Sequence, residues 1–84
     1  SMKKIKKIRL GITNHFADRY KERVLKEEVD WKPKTILKHL LNEVITERHY
    51  KNLKFFKGAK SVVKMPVSKH HLIVMQKNTL ITIY

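Results

Sequence analysis

Three basic side chains at one helical spacing carry the chain's most evident chemistry. His15, Arg19 and Arg23 lie four residues apart within residues 14–24. At about 100° per residue, a helix sends all three into one narrow sector. Phe16, Tyr20 and Val24 repeat the spacing one residue later and form an apolar stripe beside the basic one. Burying that stripe leaves the His/Arg row at the rim of a core. An imidazole that titrates near neutrality, beside two permanent cations, suits a phosphate diester: the guanidinium groups gather charge and the ring moves a proton. The positive end of a helix disfavours a charged ring at His15, which keeps it available as a base. The same residues also describe a solvated face, with Arg19 and Arg23 pairing with Glu22 and Glu27.

His70 and His71 enter an expected strand, where neighbours point to opposite sheet faces. They do not comfortably share one metal ion. With no cysteine and no His-x-x-x-His pair, neither a metal site nor a cofactor is expected. One of the two reaches the His15 cleft if the C-terminal strands fold beneath the helices, giving a two-histidine acid/base pair. His39 and His49 read as surface groups. Tyr50, Phe55 and Phe56 are interleaved with Lys51, Lys54 and Lys57. That mixture either stacks bases while tracking a nucleic-acid backbone or is a strand whose aromatics fill the core. No Gly-rich phosphate loop or Ser/His/Asp arrangement is present, so ATP and hydride chemistry have no support.

The elements that must position these groups belong to a chain of 84 residues, the size of one domain with a small core. Ser1-Met2 reads as a cloning remnant or start, and residues 3–84 as a single domain. Twenty Lys and Arg against seven Asp and Glu give a net charge of +13. Self-repulsion of that size favours a polyanionic partner: nucleic acid first, an acidic protein second, an anionic membrane surface third. Sixteen of the twenty cations are lysine, which also fits a generally basic, solvated surface. No apolar run is long enough to span a bilayer, and the lack of cysteine fits a reducing, cytoplasmic setting.

Residues 3–13 read as a short strand at Leu10 and Ile12, with a basic arm or a short helix as alternatives. Asn14 is the expected N-cap of a first helix over residues 15–28. Pro33 opens a second helix, with Asp30 or Lys32 just outside it and Trp31 at the junction. Its stripe of Ile36, Leu37, Leu40, Leu41, Val44 and Ile45 buries one face and ends near Glu47 or Arg48. Residues 50–56 are an expected strand, and residues 57–60 a turn. Residues 61–67 form a strand marked as an edge by Pro66. Residues 72–75 form a central strand, Lys77 and Asn78 a two-residue hairpin loop, and residues 79–84 a final strand. Helices followed by strands make an α+β fold, with two helices packed on a three- to four-stranded antiparallel sheet.

This order of elements resembles the RelE-like ribonuclease toxins and their BrnT-like relatives in the barnase/EndoU/colicin/RelE group. The resemblance rests on Ile12-Thr13-Asn14-His15 leading into Arg19, Tyr20 and Arg23, and on the closing strand from Leu80 to Tyr84 after a tight hairpin. It departs from the BrnT-like pattern after Arg23, where a charged insert over residues 25–34 replaces a Gly-Ile turn. The resemblance implies a metal-independent endoribonuclease toxin in which the RNA's own 2′-hydroxyl attacks the adjacent phosphate. It makes His15 the acid/base group, Arg19 and Arg23 the phosphate holders, and Thr82 and Tyr84 hydrogen-bond donors or a second proton carrier. It also implies RNA, with ribosome-bound mRNA as one form, as substrate and an acidic antitoxin protein as partner. The alternative is a non-catalytic basic module of phage or plasmid type that docks on nucleic acid or an acidic host protein. A third reading is a fragment whose charge has no specific target.

Overall fold

The computed structural model describes residues 8–84. The Ser1-Met2 start and the lysines of the expected basic arm lie outside them. Helices α1 (Asn14–Tyr20), α2 (Pro33–His39) and α3 (Glu47–Phe56) pack with a four-stranded sheet. The strands are β1 (Gly11–Ile12), β2 (Val63–Pro66), β3 (Leu72–Gln76) and β4 (Thr79–Ile83), in the order β1-β4-β3-β2. The fold is α+β, as expected. β2, β3 and β4 make the antiparallel meander, while β1 joins β4 in parallel, so the sheet is mixed.

Thr13 rather than Asn14 caps α1, its hydroxyl accepting the Phe16 amide at 3.0 Å. α1 runs on into a π-helical turn, Lys21–Leu25, and stops at Lys26 in a left-handed conformation, short of Glu28. α2 begins with Pro33 behind Lys32 and also ends in a π turn, Leu40–Val44, before Glu47 is reached. Phe16, Ala17 and Tyr20 of α1, Ile36 of α2, and Leu40 and Leu41 of the π turn that follows it enter one contiguous core. Met65, Ile73, Met75, Leu80 and Ile83 meet them from the sheet.

The expected strand over residues 50–56 is a helix instead. Thr46 caps α3 by accepting the His49 amide, Glu47 complements its positive end, and Leu53 buries its one apolar stripe. The two phenylalanines do not fill the core, Phe55 being 80% exposed and Phe56 also facing solvent, whereas Tyr50 packs partly buried against it. Gly58, at φ +87, turns the chain out of α3 in a conformation that side-chain-bearing residues resist. Its amide then donates to Lys77 of the β3–β4 hairpin. In that two-residue hairpin the left-handed residue is Lys77, not Asn78.

A β-bulge sets the phase of β4. Met75 pairs with Leu80 and Val74 with Thr82, so Ile81 is extra. Leu80 and Ile83 both reach the core although they lie three positions apart, which strict alternation forbids.

Candidate functional site

β1 pairs with β4 only at Thr79 and Leu80. Beyond that point the outer edge of β4 would carry unpaired carbonyls, and α1 supplies side chains in place of a strand. The Thr13 hydroxyl donates to the Ile81 carbonyl at 2.9 Å, and the Arg23 guanidinium donates to the Ile83 carbonyl at 2.6 Å. The same guanidinium lies over the Tyr84 ring, 5.1 Å from its centroid. The i→i+5 bonding of the π turn alters the α-helical phase at Arg23. The bond to Ile83 is made by Nη1, one of the three nitrogens of the guanidinium fork.

His71 completes the cluster from the loop before β3. Its Nδ1 lies 3.2 Å from the main-chain oxygen of Tyr84. That oxygen can only accept, so Nδ1 carries the hydrogen and the neutral ring holds its lone pair on Nε2. Arg23 and His71 thus reach the end of β4 from its two edges, Arg23 at the Ile83 carbonyl and the Tyr84 ring, His71 at the Tyr84 main-chain oxygen. Backbone pairing of Leu72 with Tyr84 locks the His71 segment and the end of the chain in register.

The remaining sequence-derived candidates are dispersed. Arg19 turns to Glu22 in a 2.7 Å ion pair and does not extend an Arg23 clamp. His15 is exposed at the start of α1, roughly 12 Å along the helix from Arg23 at 1.5 Å per residue. His70 is exposed, its amide donating to Ser68. Thr82 is buried and pairs across from Val74, on the sheet face opposite its neighbour Ile83. Among the described residues, no three His, Cys, Asp or Glu converge on a metal position.

His39 is not a surface group. It is half-buried, hydrogen-bonded through Nδ1 to the Tyr20 hydroxyl at 2.7 Å, and packed edge-on against Trp31. Burial, with the charge of Glu43 added, pushes the Tyr20 hydroxyl above its usual range. The apolar spacing that identified Tyr20 as core gave no sign of its polar partner nineteen residues on. His49 lies at the surface turn that caps α3, with Nδ1 2.7 Å from the Thr46 hydroxyl.

The molecule is therefore a small, strongly cationic α+β domain with an Arg/His/Tyr cluster where β4 ends. Comparison of the chain with family models, curated proteins and solved structures found no match. Among the described residues no helix is long and apolar enough to cross a membrane.

Proposed function

We propose that this protein binds single-stranded RNA and cleaves it without a metal ion, as the RelE-like resemblance implies, in the cytoplasm. The observation that carries this reading is the Arg23–Ile83 bond, which holds a cation over the Tyr84 ring, at the strand end whose last main-chain oxygen His71 contacts, instead of leaving it free in solvent. A fixed donor aimed at a phosphate stabilises the extra charge that develops in the transition state. The RNA 2′-hydroxyl oxygen attacks the adjacent phosphorus and its proton passes to His71 Nε2. The bond from phosphorus to the 5′ oxygen breaks, and that oxygen takes a proton from the Tyr84 hydroxyl. The products are a 2′,3′-cyclic phosphate and a 5′-hydroxyl, with both side chains restored by proton exchange with water. His15, outside this cluster, serves as a further phosphate contact along α1.

A second reading, binding without cleavage, is favoured by Phe55 and Phe56. They form an exposed edge-to-face pair with ring centroids 5.0 Å apart, at the end of a lysine-rich helix. Sequence-tolerant single-strand binders use such rings to stack bases.

Incubation with RNA in excess chelator separates the two. Cyclic-phosphate ends that disappear in His71→Ala and persist in His15→Ala support cleavage at this cluster. Intact RNA bound with a steep salt dependence supports the binding module, since counterion release drives either mode. Binding that ignores salt removes nucleic acid altogether.

A further inference from the structure

We propose that the open edge of β1 and the groove beside it capture an acidic, extended segment of a partner protein by strand addition. This inference does not depend on RNA cleavage. Gly11 and Thr13 donate their amides to Asn78 and Leu80 of the β4 strand and its preceding turn, at 2.6 and 3.1 Å. Alternation along a strand turns the peptide groups of Leu10 and Ile12 the other way, and among the described residues no strand lies beyond them. The neighbouring edge of β4 is closed by Thr13 and Arg23, so on this side of the sheet the edge of β1 is the part left uncovered among the described residues. Proteins normally cover, charge or shorten such an edge because it templates pairing with another chain.

What borders this edge indicates its occupant. A groove of about 980 Å³ is lined by β1 and the residues just before it, by α2 and its following turn, and by the C-terminal end of α3. Its floor is aliphatic: Ile8, Leu10 and Ile12 on one side, Leu37 and Leu41 on the other. Arg9, Lys34, Lys38, Lys54 and Lys57 also line it, and no carboxylate does. Lys34 and Lys38 are exposed one helical turn apart on α2 and present a row of charge along one bank. An added strand of about five residues places alternate side chains on its two faces. Apolar side chains then fill the floor, and Asp or Glu on the other face meets the lysines. This is the peptide-recognition mode in which main-chain bonds give affinity and side-chain pockets give specificity.

The charge argues against other occupants. Residues 1–7 carry four lysines, the same sign as the rim, and a second copy brings a net charge of +13. RNA suits the charge but not the floor, because no aromatic ring lines the groove for a base to stack on.

The probe is a synthetic seven-residue peptide alternating glutamate with isoleucine and valine, titrated into the full chain by fluorescence anisotropy and amide NMR. Its control replaces each glutamate with lysine. Saturable binding of the acidic peptide alone is expected, with slowed hydrogen exchange at the Leu10 and Ile12 amides. Lys34→Glu with Lys38→Glu, both exposed and thus compatible with the fold, should weaken binding at least tenfold. Equal binding to that double variant, or binding without protection at Leu10 and Ile12, overturns the proposal. Single-stranded RNA that displaces the peptide and protects the same two amides reassigns the groove to nucleic acid. Concentration-dependent dimerisation that protects them without peptide reassigns it to a second copy. Displaced Leu37 and Leu41 signals in free Ile5→Ala reassign it to the chain's own N-terminal segment.

Discussion

Replacing Arg23 by alanine removes two interactions at the end of β4. A charge-assisted bond to the Ile83 carbonyl, 2.6 Å long, contributes about 1.5–3 kcal/mol in a partly buried setting. The guanidinium over the Tyr84 ring, 5.1 Å from its centroid, adds about 0.5–1 kcal/mol. Water reaches this edge once the side chain is gone and recovers part of the loss, so Arg23→Ala should cost about 2 kcal/mol. For a domain of this size that lowers Tm by about 8–16 °C, at about 4–8 °C per kcal/mol. Arg23→Lys keeps the charge but loses the planar fork, and should recover only about half. Urea denaturation followed by circular dichroism should show the midpoint shift without a change in m-value. A double-mutant cycle with Tyr84→Leu should return a coupling of about 0.5–1 kcal/mol. If Arg23→Ala stays within about 0.5 kcal/mol of wild type, the guanidinium is not closing the β4 edge and the cluster loses its anchor. The RNA proposal adds a separate readout. Loss of one phosphate contact should reduce the slope of log affinity against log salt by about 0.7.

Tyr20→Phe should cost about 1 kcal/mol near neutral pH, because His39 Nδ1 loses its partner. The Tyr20 hydroxyl is raised by burial and then by Glu43, so its stabilising contribution is complete below the unfolded pKa of about 10. It is lost as pH rises from there through the higher folded value, at up to about 1.4 kcal/mol per pH unit, and Tyr20→Phe should flatten that decline. Urea midpoints at pH 7 and pH 10.5 check both effects, and identical pH dependence in the two proteins contradicts the second. Thr13→Val removes the α1 cap and the bond to Ile81 together and should lower unfolding free energy by about 1–2 kcal/mol, with Thr13→Ser retaining most of it. Phe55→Ser, at a side chain 80% exposed, should leave stability within about 0.5 kcal/mol. If Phe55 stacks a base, single-strand RNA affinity should nonetheless fall roughly 5- to 150-fold by anisotropy, and unchanged affinity takes it out of the interface.

The sequence by itself determined the α+β class, the two amphipathic helices, the C-terminal meander and most of the core, because apolar period is a local property. Ile36, Leu40 and Leu41 repeat at helical spacing, and burial followed that spacing. Residues 50–56 were less legible: their aromatics weigh toward a strand, while the Thr46 cap and the single buried Leu53 make a helix whose last rings face solvent.

Only the tertiary structure decided the site. His15, Arg19 and Arg23 share a spacing, yet Arg19 turns to Glu22 and Arg23 crosses to the final strand. The deciding need is the Ile83 carbonyl, open because β1 is two residues long, and no local pattern encodes it. The bulge at Ile81 likewise sends Thr82 away from the core and Ile83 into it, against simple alternation. Which polar group an edge strand leaves unsatisfied depends on how long its neighbour is, and that is settled only when distant segments of the chain meet.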